Sequence, residues 1–340
     1  MNGQAWVRVV IVNYNAGPWL GRVIQALAAQ SDDAFEAVIV DNDSTDGSAD
    51  AAALRLPDER FRLWRAGKNL GFAAGCNLGA AGATVPWLAM LNPDALPHPD
   101  WLAALRAAAI AHPEAALFGS TQWDAAEPGI LLDGCGDAYS IFGLAWRGGH
   151  GSRQPPPGED FPIFSPCAAA ALYRRDLFEQ LGGFAEGFFC YLEDVDLGFR
   201  FRLAGHRAVQ LAAAQVDHVG SASAGRRSPF SLYHSARNGV WLMIRCLPGP
   251  LLLLSTPLYA LAQLWLAMRA ENGGARLKGL RDGLLGGHQA WRQRQTIQSR
   301  RRLSLGEVGR LLIWNPRRLS QRAVIRLPDP NPPRAPDATA

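Results

Sequence analysis

The sequence has few cysteines and lacks the spacings that would give them a structural role. Its 340 residues contain five cysteines, an odd number, and no two of them form a CxxC pair. Such a set argues against a disulfide framework and against a zinc site. The cysteine pattern therefore predicts a protein of a reducing compartment.

The amino terminus lacks a long apolar segment. The one early basic residue, Arg8, is followed only by the short apolar run at residues 9–12. A run of this length is too short for the core of a signal peptide. Together with the cysteine pattern, this absence leads us to expect a cytoplasmic protein.

The formal net charge of +4 conceals an uneven distribution of charge. Residues 269–326 contain 14 Lys and Arg residues and only three acidic ones, whereas the part before them is net acidic. A basic segment of this kind indicates either nucleic acid or an anionic membrane surface as a partner. The segment does not interleave aromatic residues as a platform for single-stranded nucleic acid would, so we expect no nucleic-acid partner.

An uncharged apolar run at residues 247–268 precedes the basic segment. The run is long enough to span a bilayer, but Pro248, Gly249, Pro250 and Pro257 are expected to break it. A short apolar helix beside arginine-rich segments favours an anchor that lies in the membrane plane or inserts shallowly. We therefore predict peripheral association with an anionic membrane surface.

Apolar runs alternate with helical patterns over most of the first two hundred residues. The patterns predict strands at residues 8–12, 35–40, 61–64 and 87–90, and helices at 18–30, 99–112 and 193–204. This alternation predicts an α/β fold with a doubly wound, mostly parallel sheet. Because each strand ends in polar or glycine residues, these residues should gather at one edge of the sheet.

Asp94 lies just beyond the predicted strand at residues 87–90, two positions after Asn92. Pro93 between them biases Asn92 toward an extended conformation. A carboxylate at the carboxyl end of a strand, with an amide oxygen nearby, could hold a hard divalent cation and its phosphate ligand. Asn-Pro-Asp is also an ordinary turn sequence, and taken alone the turn is the simpler interpretation.

Asp41 stands at the end of the second predicted strand, and Gly71 and Gly75 stand near the start of a helix. A carboxylate such as Asp41 can accept a hydrogen bond from the imide N–H of a uracil or thymine ring, or it can cap the next turn. Glycines at a helix start allow the backbone N–H groups to approach an anion closely. Simple helix packing explains the GxxxG spacing equally well.

Five short stretches stand in a fixed order along the chain. They are Val12-Asn13-Tyr14-Asn15, residues 40–48, Asn69-Leu70-Gly71-Phe72, Leu91-Asn92-Pro93-Asp94 and Glu193-Asp194-Val195-Asp196. Together they resemble the motifs of inverting GT-A glycosyltransferases of family 2, especially the rhamnosyltransferase-like branch. The resemblance covers about residues 5–245, and the motifs are specific jointly rather than singly.

The resemblance implies a GT-A fold and an enzyme that transfers a sugar with inversion. The implied donor is a nucleoside-diphosphate sugar, either dTDP-L-rhamnose or a UDP-sugar. The implied acceptor is a hydroxyl of a saccharide, in particular a lipid-linked one, in cell-envelope polysaccharide synthesis. Contacts to the donor are implied for Asn13, Tyr14, Asn15, Asp41, Asn69, Gly71, Asn92 and Arg237.

The resemblance also implies a Mg²⁺ or Mn²⁺ ion held by Asp94, with His218 near the ion or the diphosphate. The family often has Asp-x-Asp at this motif, whereas this chain has Asn92 at the first position, and one charge fewer suggests weaker metal binding. A structural histidine is an equal alternative for His218. For Arg237, a solvated helix face is the alternative to a diphosphate contact.

Glu193 and Asp194 begin a predicted helix after an aromatic run. The resemblance implies that Asp194 is the catalytic base, with Glu193 as the reserve candidate. The reaction needs a carboxylate that takes the proton of the acceptor hydroxyl as that oxygen attacks the anomeric carbon. Acidic residues at a helix start also suit the helix macrodipole, so a capping role is the alternative.

The chain is predicted to divide into a GT-A domain at residues 1–240, a helical membrane-associating segment at 241–326 and a disordered tail at 327–340. Two alternative functions are a nucleotidyltransferase on a similar α/β sheet and a catalytically silent, membrane-bound scaffold. A nucleotidyltransferase would use a basic phosphate-binding loop after the first strand, and residues 13–17 contain no Lys or Arg. A catalytically silent membrane-bound scaffold would have no need of Asp41, Asp94 and Asp194.

Overall fold

A mostly parallel β-sheet forms the centre of the computed structural model, which describes residues 4–220 and 228–328. The strands within these residues are β1 (Val7–Asn13), β2 (Phe35–Asp41), β3 (Phe61–Arg65), β4 (Trp87–Leu91), β5 (Ala95–Pro97), β6 (Ala115–Asp124), β7 (Leu132–Gly134), β8 (Asp137–Tyr139), β9 (Ala145–Arg147), β10 (Phe161–Pro162), β11 (Ala170–Arg174) and β12 (Arg207–His218). Residues 329–340 of the predicted tail lie outside the described residues.

Helices cover both faces of this sheet and follow it toward the carboxyl terminus. The helices within the described residues are α1 (Pro18–Ala28), α2 (Ser48–Ala53), α3 (Gly71–Ala80), α4 (Trp101–Ala111), α5 (Arg175–Gln180), α6 (Glu193–Leu203), α7 (Pro229–Cys246), α8 (Gly249–Arg269), α9 (Gly273–Leu285), α10 (Gly287–Ser299), α11 (Leu305–Leu311) and α12 (Pro316–Ser320). A 3₁₀ turn at Glu186–Phe188 precedes α6.

The strands are ordered β3–β2–β1–β4–β11–β6–β12–β10 across the sheet. The four strands from β3 to β4 are parallel, β11 is antiparallel to both of its neighbours, and β6 and β12 are again parallel. The predicted α/β class with a doubly wound, mostly parallel sheet is thereby confirmed. Parallel strands are buried on both faces, which explains their nearly continuous runs of valine and isoleucine.

Side chains of β1 alternate between two buried clusters. Val9 and Ile11 pack on one face of the sheet with Leu20 of α1, whereas Val10 and Val12 pack on the other face, which α3 covers. A Cβ atom at Gly75 of α3 would lie 2.8 Å from Val12 Cγ1. Close packing of α3 on the sheet therefore accounts for Gly75, as the packing alternative predicted.

The sequence patterns missed the two longest strands, β6 and β12. Both contain alanine and buried polar residues, including Ser120, Thr121, Gln122 and Gln210. Alanine and these polar side chains are not typical of strands. Here the sheet buries and hydrogen-bonds them, as when the Thr121 hydroxyl donates to the Leu211 carbonyl at 2.9 Å. Tertiary context therefore decided these two elements.

The apolar run near residue 250 forms one continuous helix, α8, so the expectation that prolines break it was wrong. Pro250 lies in the first turn, where its missing N–H is not needed, and Pro257 lies on an exposed face of the helix. Its residues Leu251, Ser255 and Tyr259 are buried at every fourth position. Such a face is typical of a helix that packs along one side.

A third buried cluster joins the carboxyl-terminal helices to the rest of the protein. Tyr139, Phe164 and Phe199 belong to it together with Leu242 and Leu311. The cluster contains residues from both sides of the predicted boundary after residue 240. The division of the chain at that position therefore remains a proposal.

Candidate active site

The carboxyl ends of β1 and β2 bring Asn13 and Asp41 side by side, because these two residues are register partners. The Asn13 amide donates to Asp41 Oδ1 at 2.9 Å and lies 3.0 Å from the hydroxyls of Ser44 and Ser48. Both Asn13 and Asp41 are buried. The Asn13 Oδ1 atom is buried and has no hydrogen-bond partner within the described residues, so this corner can accept a hydrogen bond from a ligand.

Tyr14 and Asn15, the next two residues predicted to contact the donor, follow Asn13 at this corner. Asn15 has a φ of 51°, and its Oδ1 accepts from the Thr45 N–H at 2.8 Å. Tyr14 is 41% exposed. Asn15 thus holds the loop after β2 in place, while the neighbouring ring of Tyr14 faces solvent.

Gly71 begins α3 with a φ of 80°, a conformation that favours glycine. Its N–H donates to Asn69 Oδ1 at 2.9 Å, and its carbonyl accepts from the Asn42 amide at 2.9 Å. A Cβ atom here would lie 2.5 Å from Phe189 Cδ2. Gly71 therefore lets α3 approach the segment that leads to the predicted base.

Strand pairing places Asp94 beside His218. The short strand β5 pairs with the end of β12, with Ala95 opposite His218. His218 Nε2 consequently lies 3.4 Å from Asp94 Oδ1 and 3.4 Å from the Asn92 amide nitrogen. The three residues that the sequence proposed for the cation and the diphosphate are thus brought together.

Asp133, which the sequence analysis missed, orients His218 from the other side. His218 Nδ1 lies 2.8 Å from Asp133 Oδ2, and both side chains are buried. Burial lowers the pKa of His218, but the carboxyls of Asp133 and Asp94 outweigh burial and raise it above its ordinary value. A carboxylate behind an imidazole is the usual arrangement that fixes the ring of a metal-binding histidine.

Asp133 is itself surrounded by positive groups. Arg147 forms an ion pair with it, and His150 Nδ1 lies 3.3 Å from its Oδ1 atom. Burial favours the neutral carboxyl, but Arg147, His150 and His218 together hold the pKa of Asp133 well below its usual range. Asp133 therefore stays ionised, which is what an orienting partner of His218 requires.

Asp194 lies in the first turn of α6 and lines a cavity of about 280 Å³. Its Oδ2 atom accepts from the Ala168 N–H at 3.1 Å and its Oδ1 atom from the Val195 N–H at 2.8 Å. Burial raises the pKa of Asp194 even though these hydrogen bonds oppose the shift. Asp194 does not act as the N-cap, because that position is Leu192.

Glu193 differs from its neighbour in its surroundings. It is 5% exposed, and its Oε2 atom has no hydrogen-bond partner within the described residues. Burial, together with the charge of Asp194, raises its pKa well above the ordinary value. The pKa of both carboxyls is raised, but Asp194 accepts two backbone N–H bonds that favour its ionised form, which favours Asp194 over Glu193 as a group that accepts a proton.

Asp196, the last acid of the Glu193-Asp194-Val195-Asp196 motif, forms buried ion pairs. It is fully buried, and its carboxyl accepts from Arg200 at 2.8 Å and from Arg245 at 2.7 Å. Despite burial, these two guanidinium groups lower the pKa of Asp196. The ion pairs fix α6 against α7, so this acid positions the helix that carries Asp194.

The segment before Asp194 has a strained backbone. Phe189, Tyr191 and Leu192 have φ values of 64°, 73° and 67°. Such conformations cost on the order of 1–3 kcal/mol each for residues other than glycine, and they persist where the surroundings fix them. A strained turn directly before a candidate base is typical of an active site.

Asn238 and Arg237 of α7 fix this segment. The Asn238 amide lies within 3.0 Å of the carbonyls of Phe188, Cys190 and Tyr191, and Arg237 Nη2 donates to the Phe188 carbonyl at 2.8 Å. Arg237 also lies over the ring of Trp241. Arg237 thus contacts both α7 and the loop that leads to the candidate base, and its diphosphate contact stays a prediction.

Asp137 and Arg147 also line the cavity beside Asp194, and the sequence analysis did not propose them. The two are register partners in the small β8–β9 hairpin. They lie in short strands without a repeating pattern, so periodicity gave no signal. The one available signal was the pair of acids that flank Gly134, Cys135 and Gly136.

Comparison with known proteins identifies a family from the sequence. The profile of glycosyl transferase family 2 matches residues 8–182. The chain is 32% identical over 242 residues to N-acetylglucosaminyl-diphospho-decaprenol L-rhamnosyltransferase of Mycobacterium tuberculosis, and the match covers 64% of this chain and 77% of that protein.

Two solved structures are similar to this fold at low sequence identity. GalNAc-T7 with UDP, GalNAc and Mn²⁺ aligns with a TM-score of 0.62 and 16% identity, over 83% of this chain and 55% of that one. The mannosyltransferase PcManGT of Pyrobaculum calidifontis, in complex with GDP-Man and Mn²⁺, aligns with a TM-score of 0.53 and 19% identity, over 90% of this chain and 86% of that one. These likenesses concern the fold.

Proposed function

The chain belongs to glycosyltransferase family 2, and from that premise we propose that it transfers a hexose, with inversion, from a nucleoside-diphosphate sugar to a hydroxyl of a lipid-linked saccharide. The observation that carries the proposal is the cavity that holds Asp194 and Asn92 together. Asn92 belongs to the Asp94–His218 group, so the cavity joins that group to the candidate base.

The donor nucleotide is proposed to bind at the corner formed by Asn13 and Asp41. A buried carboxylate and a buried, unpartnered amide oxygen suit the imide N–H of uracil or thymine. This chemistry supports a UDP-sugar or dTDP-L-rhamnose. The likeness to an L-rhamnosyltransferase favours the latter.

Asp94 and His218 are proposed to hold a divalent cation, Mg²⁺ or Mn²⁺. The donor set fits, since it offers a buried carboxylate and an imidazole nitrogen whose ring Asp133 orients. The two structural neighbours were solved with Mn²⁺. A bound cation supplies charge neutralisation for the leaving diphosphate.

Asp194 is proposed to act as the general base. Its carboxylate takes the proton of the acceptor hydroxyl while that oxygen forms a bond to the anomeric carbon. The bond between the anomeric carbon and the diphosphate oxygen breaks on the opposite side, and the nucleoside diphosphate leaves with that electron pair. A single displacement of this kind inverts the configuration and needs no covalent enzyme intermediate.

The acceptor is proposed to be presented at the cytoplasmic face of a membrane, in cell-envelope polysaccharide synthesis. Within the described residues, α8 is the one helix long and apolar enough to cross a membrane by length and composition. Its residues Leu253, Leu261 and Met268 are 79%, 67% and 71% exposed. The basic residues that follow α8 suit anionic headgroups, so we propose that the protein attaches peripherally to the membrane through this surface.

The proposal is tested by incubating the purified full-length protein with dTDP-L-rhamnose, several UDP-sugars and GDP-mannose. The acceptor is N-acetylglucosaminyl diphosphate linked to a polyprenol, the kind of molecule named for the relative. We expect one donor to release its nucleoside diphosphate and to transfer its sugar into the lipid fraction with inverted anomeric configuration. Release of a sugar 1-phosphate, with transfer of the nucleotidyl group to the acceptor, would indicate a nucleotidyltransferase, and donor binding without turnover would indicate a scaffold.

The metal role is tested with Asp94→Ala. The variant should fold normally and lose turnover that added Mg²⁺ or Mn²⁺ stimulates, because the buried carboxylate ligand is gone. Asp176→Ala, which removes an exposed carboxylate on α5, is the matched control. Full activity of Asp94→Ala in the presence of a chelator would show that the metal role is wrong.

A further inference from the structure

The cavity beside Asp194 contains a second carboxyl group that the proposed mechanism does not use. Asp137 is 7% exposed and lines the same cavity. One side-chain ligand atom each of Asp137, Cys167 and Asp194 lie within 4.8 Å of one another. Within the described residues, the Asp137 carboxyl has no side-chain hydrogen bond, although its backbone N–H donates to Ser165.

A metal ion is a poor occupant of this three-residue cluster. Burial raises the pKa of the Cys167 thiol far above its usual value, so it is not the thiolate that binds metals. The guanidinium of Arg147 lines the same cavity and would repel a cation. The cluster is therefore better suited to a neutral, hydroxyl-rich ligand.

The walls of the cavity match such a ligand. Phe72, Trp146 and Tyr191 supply aromatic surface, while Asp137 and Asp194 supply hydrogen-bonding groups. A sugar ring has apolar C–H faces and hydroxyls at its edge, so it needs both kinds of surface. Sites for small polar molecules commonly combine an apolar lining with a few placed polar groups.

Given the proposed glycosyl transfer, on which this inference rests, we propose that Asp137 binds a second hydroxyl of the acceptor sugar, next to the hydroxyl that Asp194 deprotonates. Two carboxyls this close together can each reach one of two neighbouring ring hydroxyls. Asp137 is then a binding residue that selects which acceptor hydroxyl faces Asp194.

The protonation of the pair is consistent with these two roles. Burial, and then the charge of Asp194, raise the pKa of Asp137 well above its ordinary value. Asp194 receives two backbone N–H bonds that favour its ionised form, whereas Asp137 receives none. A neutral Asp137 can both donate to and accept from a sugar hydroxyl, while an ionised Asp194 can take the proton.

The test compares Asp137→Ala and Asp137→Asn with the wild-type protein on N-acetylglucosaminyl diphosphate polyprenol and on its 3-, 4- and 6-monodeoxy analogues. Asp137→Ala should lower kcat/KM for the parent acceptor about 10- to 100-fold, mainly through KM, because a hydrogen bond to the substrate is lost. Asp137→Asn should lose about 3- to 10-fold, since the amide keeps one donor and one acceptor.

The analogues decide between binding and a purely structural role. One monodeoxy analogue that still carries the reacting hydroxyl should be a poorer substrate for the wild type, yet Asp137→Ala should no longer discriminate against it. Equal discrimination by the wild type and both variants would overturn the proposal. Asp176→Asn is the control, and thermal unfolding of every variant identifies any that fails to fold, in which case Asp137→Asn alone carries the comparison.

Failure of the acceptor assignment gives a separate result. A wild-type protein that releases nucleoside diphosphate but leaves this polyprenol acceptor unmodified would refute the proposed acceptor only. The same deoxy comparison is then made on the glycoside that a panel of simple pyranosides identifies as a substrate. Unchanged acceptor KM and unchanged discrimination in the Asp137 variants on that glycoside would overturn the role of Asp137.

Discussion

Two groups of acidic side chains lie close together in this protein and differ in their electrostatic surroundings. In the first group, Asp94 and Asp133 contact His218, and Asp133 also pairs with Arg147. In the second group, Asp137 and Glu193 are buried and Asp194 is half-buried, and within the described residues no ion pair joins these carboxyls to a basic group. We refer to them as the paired group and the unpaired group.

The difference separates two kinds of chemistry. Basic groups that pair with a carboxyl lower its pKa and keep it charged, which suits a group such as Asp133 that must orient a histidine. Burial without a paired basic group raises the pKa, which suits a group that must accept a proton. Arg147 stands between the two groups, since it pairs with Asp133 and its charge also lowers the pKa of Asp194.

The largest expected effect comes from removing the proton acceptor of the unpaired group. Asp194→Asn keeps the size of the side chain and can keep one of its two hydrogen bonds from backbone N–H groups, but it cannot take the proton. Turnover should fall by about 100- to 10,000-fold, the usual span for the loss of a general base. Donor affinity, measured on the same preparation, should stay the same because Asp41 and Asp94 serve the nucleotide.

Glu193→Gln is the matched control for that variant. Because Glu193 is not the proposed proton acceptor, the substitution should leave turnover nearly unchanged. In a plot of kcat against pH, turnover should still rise as pH increases through the raised pKa of Asp194. This rise should occur at a higher pH than the pKa of an ordinary aspartate would give. Normal turnover of Asp194→Asn with a silent Glu193→Gln would assign the base role to neither residue.

The next effect concerns the paired group. Asp133→Asn removes the charge that orients His218 while it preserves the shape of the side chain. Affinity for Mn²⁺, measured by titration of the protein without substrate, should fall about 10- to 100-fold, as is usual for partners of metal-binding histidines. An unchanged affinity would mean that His218 does not bind the ion.

A smaller effect is expected from the support of the unpaired group. Asn238→Ala leaves the carbonyls of Phe188, Cys190 and Tyr191 without their common donor. The strained turn should relax, and kcat should fall about tenfold, which corresponds to about 1.4 kcal/mol. Donor affinity should change little. A loss of thermal stability with unchanged kcat would limit Asn238 to a structural role.

The smallest effect on catalysis is expected far from both groups. The double substitution Leu253→Glu and Leu261→Glu places charges on the exposed face of α8. Sedimentation with anionic vesicles at low salt should decrease strongly, because burying a charge in the acyl region is costly. Turnover on a short-chain, soluble acceptor should be unchanged. Deletion of residues 241–340 would also remove the exposed face of α8. It would, however, take Leu242 and Leu311 out of a buried cluster that they share with the rest of the protein, so the double substitution is the cleaner test.

Much of the candidate site could be predicted from the sequence, because it depends on local patterns. Buried strands end at Asp41 and shortly before Asp94, and Asp194 lies in the first turn of a helix that follows an aromatic run. In a parallel sheet, consecutive strand ends must lie at one edge. The sequence therefore determined the α/β class, the family and the order of its motifs along the chain.

The tertiary structure decided which distant residues meet. Pairing of β5 with β12 brings His218 to Asp94, and the β8–β9 hairpin brings Asp137 and Arg147 to Asp194. Strands of three residues carry no periodic signal, and their positions depend on contacts between residues far apart in the chain. The electrostatic contrast between the paired and unpaired groups arises from those contacts, because the pKa of a carboxyl depends on its burial and neighbours rather than on its place in the sequence.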